Sequence, residues 1–373
     1  MNRRDILAAM GATTALAAIS PRAFADDDSA VSAQARALHK RALVFDANSY
    51  PPLDGEPPYA QSVFDMMRNS GVTAMKCSIG GYGNNFEDTV AELASYQYVI
   101  ELYPDALVQI RNHADFARAK QENKLGILFS FEAETPLDGK PERVEVFRGL
   151  GVRVMQITYN VATPFGTGCL GDPAGGLTDV GRKAIEAMNR QGVALDLSHS
   201  NVKTSFDALQ ATKKPAIITH AGCEAIHKHP RNKPDALLKA VADQGGVVGI
   251  YDLPYLAASP IQPTLDIYMQ HMTHALSVCG EDHVGIGSDA AMSPWDTSPK
   301  AMADFQKDED ARHKAGVAAP EEDRPLYVIG LNTPMRTEII ADALSKRGYS
   351  ERVAEKVLGV NFTSALKNAW GDA

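Results

Sequence analysis

Two patterns of apolar residues alternate along the chain. Short apolar runs, rich in Val, Ile, Leu and Ala, fall at 42–46, 72–77, 106–110, 126–131, 153–159, 192–199, 214–220, 246–250 and 283–289. Between them lie segments whose apolar positions recur at helical spacing, at 31–40, 62–70, 87–103, 115–123, 143–149, 179–191, 201–212, 235–243 and 264–279. The short runs do not alternate between apolar and polar positions, as expected of strands buried on both faces of a parallel sheet. About eight strands, each separated from the next by a helix, are the pattern of a single (β/α)8 TIM-like barrel. The remainder, residues 294–373, is mostly polar loop and helix, with no second repeat or linker, so one domain is expected.

What the strands end in gives the first chemistry. The runs 192–199 and 214–220 stop at His199 and His220, 21 positions apart and joined by one helical crossover. A parallel strand that ends in a histidine delivers the imidazole to the rim where barrel enzymes carry their sites. Glu132 and Asp289 end two further runs in the same way. Two imidazoles and a carboxylate form a His2Glu zinc set that leaves one position for water. Such an ion lowers the pKa of its water and polarises a carbonyl, so amide or ester hydrolysis becomes feasible at neutral pH. Asp289 would serve as general base or as a further ligand.

Other features narrow the reading. A net charge of −9, with no basic cluster beyond the N-terminus, gives no footprint for nucleic acid. Gly80, Gly81 and Gly83 lack the context of a phosphate-binding loop. His113 and Asp115 have a ligand-like spacing, but Asp115 is expected as the N-cap of a helix. Cys77, Cys169, Cys223 and Cys279 have no C-x-x-C spacing, which removes a thiolate zinc site, and free buried thiols are expected. Residues 1–25 form a separate object: Arg3-Arg4 ahead of a small-residue apolar run, then Ala23-Phe24-Ala25. They read as a twin-arginine-type signal peptide, too short for a stable membrane span, with the mature barrel domain at 26–373 and a periplasmic location.

The chain resembles the renal or membrane dipeptidase family, peptidase family M19, over nearly all of its mature length. The matching stretches are Phe131-Glu132, 151–160, 176–178, 196–199, 215–220, Pro230-Arg231-Asn232, 284–289, 348–350 and 359–362. The resemblance implies a barrel of the metal-dependent hydrolase type in which Glu132, His199 and His220 bind metal. It also implies that Arg231, with Asn232 beside it, holds a substrate carboxylate and that Asp289 transfers protons. A guanidinium suits that role because it meets a carboxylate with two parallel charge-assisted bonds. A homodimer is a further implication.

Two departures matter. Family members carry D-G-H-x-D after the first strand, where His and Asp bind the first of two zinc ions; here the segment is 46–50, with Asn48 and Tyr50 at those positions. Neither is a good zinc ligand, so about one Zn2+ per chain is expected rather than two. Where the family has a substrate-facing His stands Tyr159, which can hydrogen-bond an oxyanion but, with a pKa of about 10, cannot act as a near-neutral acid. The expected function is hydrolysis of a dipeptide or similar small carboxylate-bearing amide. Two alternatives are the same barrel turned to another reaction on an amino-acid-derived substrate, and a homologue that binds a small molecule or partner without turnover.

Overall fold

The computed structural model describes residues 31–80 and 83–371, so the expected signal peptide lies outside the described residues. Eight strands make a barrel: β1 (Phe45–Asp46), β2 (Ala74–Ser78), β3 (Leu125–Phe131), β4 (Val154–Gln156), β5 (Ala194–Asp196), β6 (Ile218–Ala221), β7 (Val248–Ile250) and β8 (Val284–Ile286). Every neighbouring pair is parallel, in the spatial order β5, β4, β3, β2, β1, β8, β7, β6. The ring closes where Asp196 of β5 pairs with Ile217, through Leu197 N to Ile217 O and Ile217 N to Leu195 O, both 2.9 Å. The (β/α)8 expectation therefore holds.

One expected strand is not a stave. Leu107–Gln109 pairs with the first half of β3, Leu107 opposite Leu125 and Gln109 opposite Ile127. β4 takes only the second half of β3, at Ser130 and Phe131. Because β3 is seven residues long and β4 three, the lower part of that edge is open to a ninth strand. The paired strands are also shorter than the apolar runs. Only Val154–Gln156 of the run 153–159 pairs, which leaves Tyr159 and Asn160 in the loop above the rim.

Alternate strand residues, among them Phe45, Ala74, Leu128, Val154, Ala194 and Val247, form an inner cluster with Phe362, Leu366 and Trp370. These last three belong to the helix Asn361–Trp370, whose Trp370 Nε1 donates to Arg153 O at the start of β4. The residues that flank them on each strand join the larger outer core beneath the helices. Large apolar residues thus close the base of the barrel, and polar side chains are left for the opposite rim.

Local chemistry sets the helices that bracket the two histidine strands. Thr178 accepts from Gly181 N at the start of helix Asp179–Gln191, and Gly192 ends it at φ 62°. Asn201 accepts from Thr204 N at the start of helix Val202–Ala211. Such caps satisfy backbone donors that a helix cannot use itself. Asp115 is not the N-cap expected of it: the helix runs Ala114–Glu122, and the Asp115 carboxylate accepts from Arg111 N and Asn112 N in the preceding loop. Among the described residues no helix is long and apolar enough to cross a membrane.

At the rim, Ser49–Tyr50 and Ala290–Ala291 form a small parallel ribbon that knits the loop after β1 to the loop after β8. The helix Pro299–Lys314 leads into a strap over the mouth, where Val317 O accepts from Asn160 and Pro320 O accepts from His229.

Candidate metal centre

Glu132 follows β3, His199 lies three residues past β5, and His220 is within β6. Among the described residues these three form the one group able to hold a metal ion. All three are buried. His199 Nε2 and His220 Nε2 stand 3.1 Å apart, and Glu132 Oε1 lies 3.6 Å from the first and 3.2 Å from the second. Bonds of about 2.0–2.1 Å from zinc to nitrogen give a tetrahedral edge of about 3.3–3.4 Å. The triangle has that size.

The outer nitrogens decide what the inner ones can do. His199 Nδ1 donates to Asn160 Oδ1 at 2.7 Å, and the Asn160 amide is oriented by its own Nδ2 donating to Val317 O at 3.0 Å. His220 Nδ1 lies 2.8 Å from Thr219 Oγ1. The Thr219 hydroxyl proton goes to Asp196 Oδ2, 2.5 Å away, so the imidazole must be the donor to Thr219. Both rings therefore carry their proton on Nδ1, and two bare Nε2 lone pairs face each other beside a carboxylate oxygen. Three acceptors in contact repel one another unless a cation joins them, so the residues fit a metal. Burial, then the Arg231 guanidinium, hold the His199 imidazole well below its usual pKa, which keeps it neutral for ligation.

His220 reaches this place through an irregular strand. The β6–β7 register shifts between Ile218 and Ala221. The Thr219 carbonyl turns toward β7 and β8, where a Cβ on Gly249 would lie 2.0 Å from it and one on Gly287 1.7 Å. Only glycine tolerates such an approach.

The positions taken by Asn48 and Tyr50 reach the same centre as donors. Asn48 Nδ2 donates to Glu132 Oε1 at 3.0 Å and to Asp289 Oδ1 at 2.6 Å, and the Tyr50 hydroxyl donates to Glu132 Oε2 at 3.3 Å. Asp289 sits in the left-handed region at φ 55°, held there by its own N donating to Asn48 O at 2.7 Å. A non-glycine residue kept in this region costs about 1 kcal/mol or more and persists where the surroundings demand it. Its Oδ2 is 3.9 Å from His220 Nε2, and its side chain retains 17% exposure, against 7% or less for Glu132, His199 and His220. Burial, with Glu132 adding to it, holds the Asp289 carboxyl above the ordinary carboxylate range.

The residues expected to meet a substrate are placed less uniformly. Arg231 is 2% exposed, and its Nη1 and Nη2 have no hydrogen-bond partner among the described residues. Asn232 is occupied otherwise: its Nδ2 donates to His227 O and Tyr255 O, and its Oδ1 accepts from Tyr251. Its amide anchors the loop that presents Arg231. Tyr159 stacks on His199, with ring centroids 4.3 Å apart and planes 21° from parallel, and burial pushes its hydroxyl up to about 12. Arg312, from helix Pro299–Lys314, hydrogen-bonds Tyr159 and is held by Glu322 in the strap.

Asn160 lay inside a matched stretch without a role, Asp196 and Thr219 read as strand, and Arg312 lay in the part with no motif. Lys76 stands as a lone charge inside the apolar run 72–77.

A protein-family model described as membrane dipeptidase (peptidase family M19) matches residues 33–310. An uncharacterised Klebsiella pneumoniae protein, encoded in the pqqA 5′ region, is 29% identical over 69% of this chain and 87% of its own length. Dipeptidase tcpJ of Claviceps purpurea is 25% identical over 76% of this chain, which spans 60% of that protein. The crystal structure of an amidohydrolase from Pseudomonas aeruginosa superposes with a TM-score of 0.79 at 30% identity, covering 91% of this chain and 99% of that one. With its closed parallel barrel and its His2Glu cluster, the chain belongs to the membrane dipeptidase family, peptidase family M19, as a metallodipeptidase-like hydrolase.

Proposed function

We propose that the protein is a single-zinc hydrolase that cleaves a dipeptide or a similar small amide bearing a free carboxylate. The observation that carries this reading is the pair of inward Nε2 lone pairs, 3.1 Å apart beside Glu132 Oε1, with their outer nitrogens already committed. Glu132, His199 and His220 would hold the ion, which supplies an activated water and a Lewis acid for the carbonyl.

The chain's own residues supply the rest. Arg231 offers two unpartnered terminal nitrogens in a buried setting, which a carboxylate satisfies in a bidentate pair. Asp289, raised above the ordinary range yet open on one side, accepts a proton from the attacking water and returns it to the leaving amine. Tyr159, kept as a neutral hydroxyl by burial, donates a hydrogen bond to an oxyanion.

The test uses a dipeptide and its C-terminal amide. Charge-assisted hydrogen bonds are worth roughly 1.5–3 kcal/mol each, so Arg231→Ala should lower kcat/KM on the dipeptide about a hundredfold or more. Arg231→Lys keeps the charge and loses the fork, and should lie between. Zinc content should not change, and the dipeptide amide should be processed almost equally by wild type and variant. An equal loss on both substrates, with a lower melting temperature, would reduce Arg231 to a loop anchor.

A further inference from the structure

Lys76 is a buried cation without an anionic partner in contact among the described residues. It lies in β2, on the side of the strand that faces the barrel interior together with Ala74 and Ser78, and is 1% exposed. Burying an ammonium is costly unless charge compensates it, and a packing position there would be served by Leu or Met. Its Nζ meets two hydroxyls, Ser78 Oγ at 3.3 Å and Ser130 Oγ at 3.2 Å.

The direction of each bond can be assigned. Ser130 Oγ gives its proton to Cys77 O at 2.9 Å, and Ser78 Oγ gives its proton to Asn48 Oδ1 at 3.3 Å. Both serines are therefore acceptors toward the ammonium. Asn48, with its oxygen facing Ser78, has its amide protons free for Glu132 Oε1 and Asp289 Oδ1. The result is an ordered relay of donors, ammonium to hydroxyl to amide to two carboxylates, with every dipole pointing the same way. Such chains polarise one another in a low-dielectric interior.

We infer that Lys76 is the built-in cation of this centre: through Ser78 and Asn48 its ammonium supplies positive potential to Glu132 and Asp289, and so fixes the site at one metal. This rests on the metal reading of the preceding subsection. Asn48 and Tyr50 turn donors toward the carboxylates where a second ion would need ligands. Lys76 is thus a positioning residue that acts through Asn48. In keeping with this, Lys76 is among the charges that oppose the upward effect of burial on Asp289.

The experiment counts zinc per chain by elemental analysis in N48H/Y50D, with and without K76M. The double variant should hold no more zinc than wild type, because the ammonium still stands beneath the position, and the triple variant should gain one further ion per chain. A double variant that already gains the second ion, or a triple variant that does not, overturns the inference. Wild type without zinc would instead refute the metal reading, and the difference between double and triple variants would remain readable. Single variants cover the case in which these do not fold. K76R should keep kcat within about threefold of wild type, while K76M should lose about tenfold or more in kcat, with KM and zinc content held. Equal losses in K76R and K76M, with matching drops in melting temperature, would mean that the lysine only fills space.

Discussion

The two sides of the barrel mouth are built in opposite senses. On the side of β5 and β6, Asn160 and Thr219, the latter oriented by Asp196, take up the outer protons of the two histidines, so that bare acceptors face inward. On the side of β1, β2 and β8, Asn48 and Tyr50 turn protons inward, toward Glu132 and Asp289. The two imidazole acceptors meet no donor between them and call for a cation, whereas Asp289 Oδ1 and Glu132 Oε2 already meet donors and Glu132 Oε1 is shared between the two sides. The same rim thus offers a three-residue metal-ligating cluster on one side and hydrogen-bond donors on the other, the contrast on which the proposed single-zinc reading rests.

Removing an acceptor should have the largest effect. His220→Ala leaves Glu132 and His199 as a two-ligand remnant, and elemental analysis should find its zinc reduced to near zero. Zinc held at the wild-type level would place the metal elsewhere.

The next pair sharpens the contrast between the sides. Asn160→Ala frees the His199 ring to rotate and change tautomer, and should weaken zinc binding about 10–100-fold in competition with a chelator. Asn48→Leu removes the donor shared by two carboxylates, which should cost roughly 1–3 kcal/mol of stability per group left bare. Its zinc affinity should change by less than that of Asn160→Ala. A reversal, with Asn48→Leu losing zinc and Asn160→Ala losing only stability, would break the division drawn here.

The smallest effect comes from a buried acid outside the ligand triad. Asp252 follows β7, and burial raises its carboxyl to about 8, with the Arg336 guanidinium opposing and Asp46 and Asp289 adding. The folded protein therefore binds a proton there that the unfolded chain releases above the ordinary carboxylate range. Its contribution is complete below that range and is lost as pH rises toward about 8. Asp252→Asn should flatten this slope, with a melting temperature about 2–4 °C above wild type at pH 9 and little difference at pH 4. Parallel curves for the two proteins would show that Asp252 does not titrate in this window.

What was legible in the sequence follows from how far each signal reaches. Glu132, His199, His220 and Asp289 could be found because an apolar strand that stops at a polar residue marks the rim, and this is a local pattern. Asn48 and Tyr50 were visible as departures within the segment 46–50, but not that they turn donors toward Glu132, which lies more than eighty positions away. Leu107–Gln109 was misassigned as a stave because its short apolar run looks the same whether it completes a ring or shares one edge of a longer strand. Asn232 is expected beside the substrate carboxylate, and its amide bonds to His227, Tyr251 and Tyr255 follow no pattern that its own segment announces. The strap and Arg312 were illegible for a related reason: loop contacts such as Asn160 with Val317 leave no periodicity.

The central claim, a hydrolase centre that holds one metal, is tested most directly by titrating zinc into the full chain after chelation while following hydrolysis of a dipeptide. The account predicts that activity rises with the first equivalent and levels off there, with one zinc per chain at saturation. Activity that appears only with a second equivalent, or full activity in the chelated protein, would contradict it.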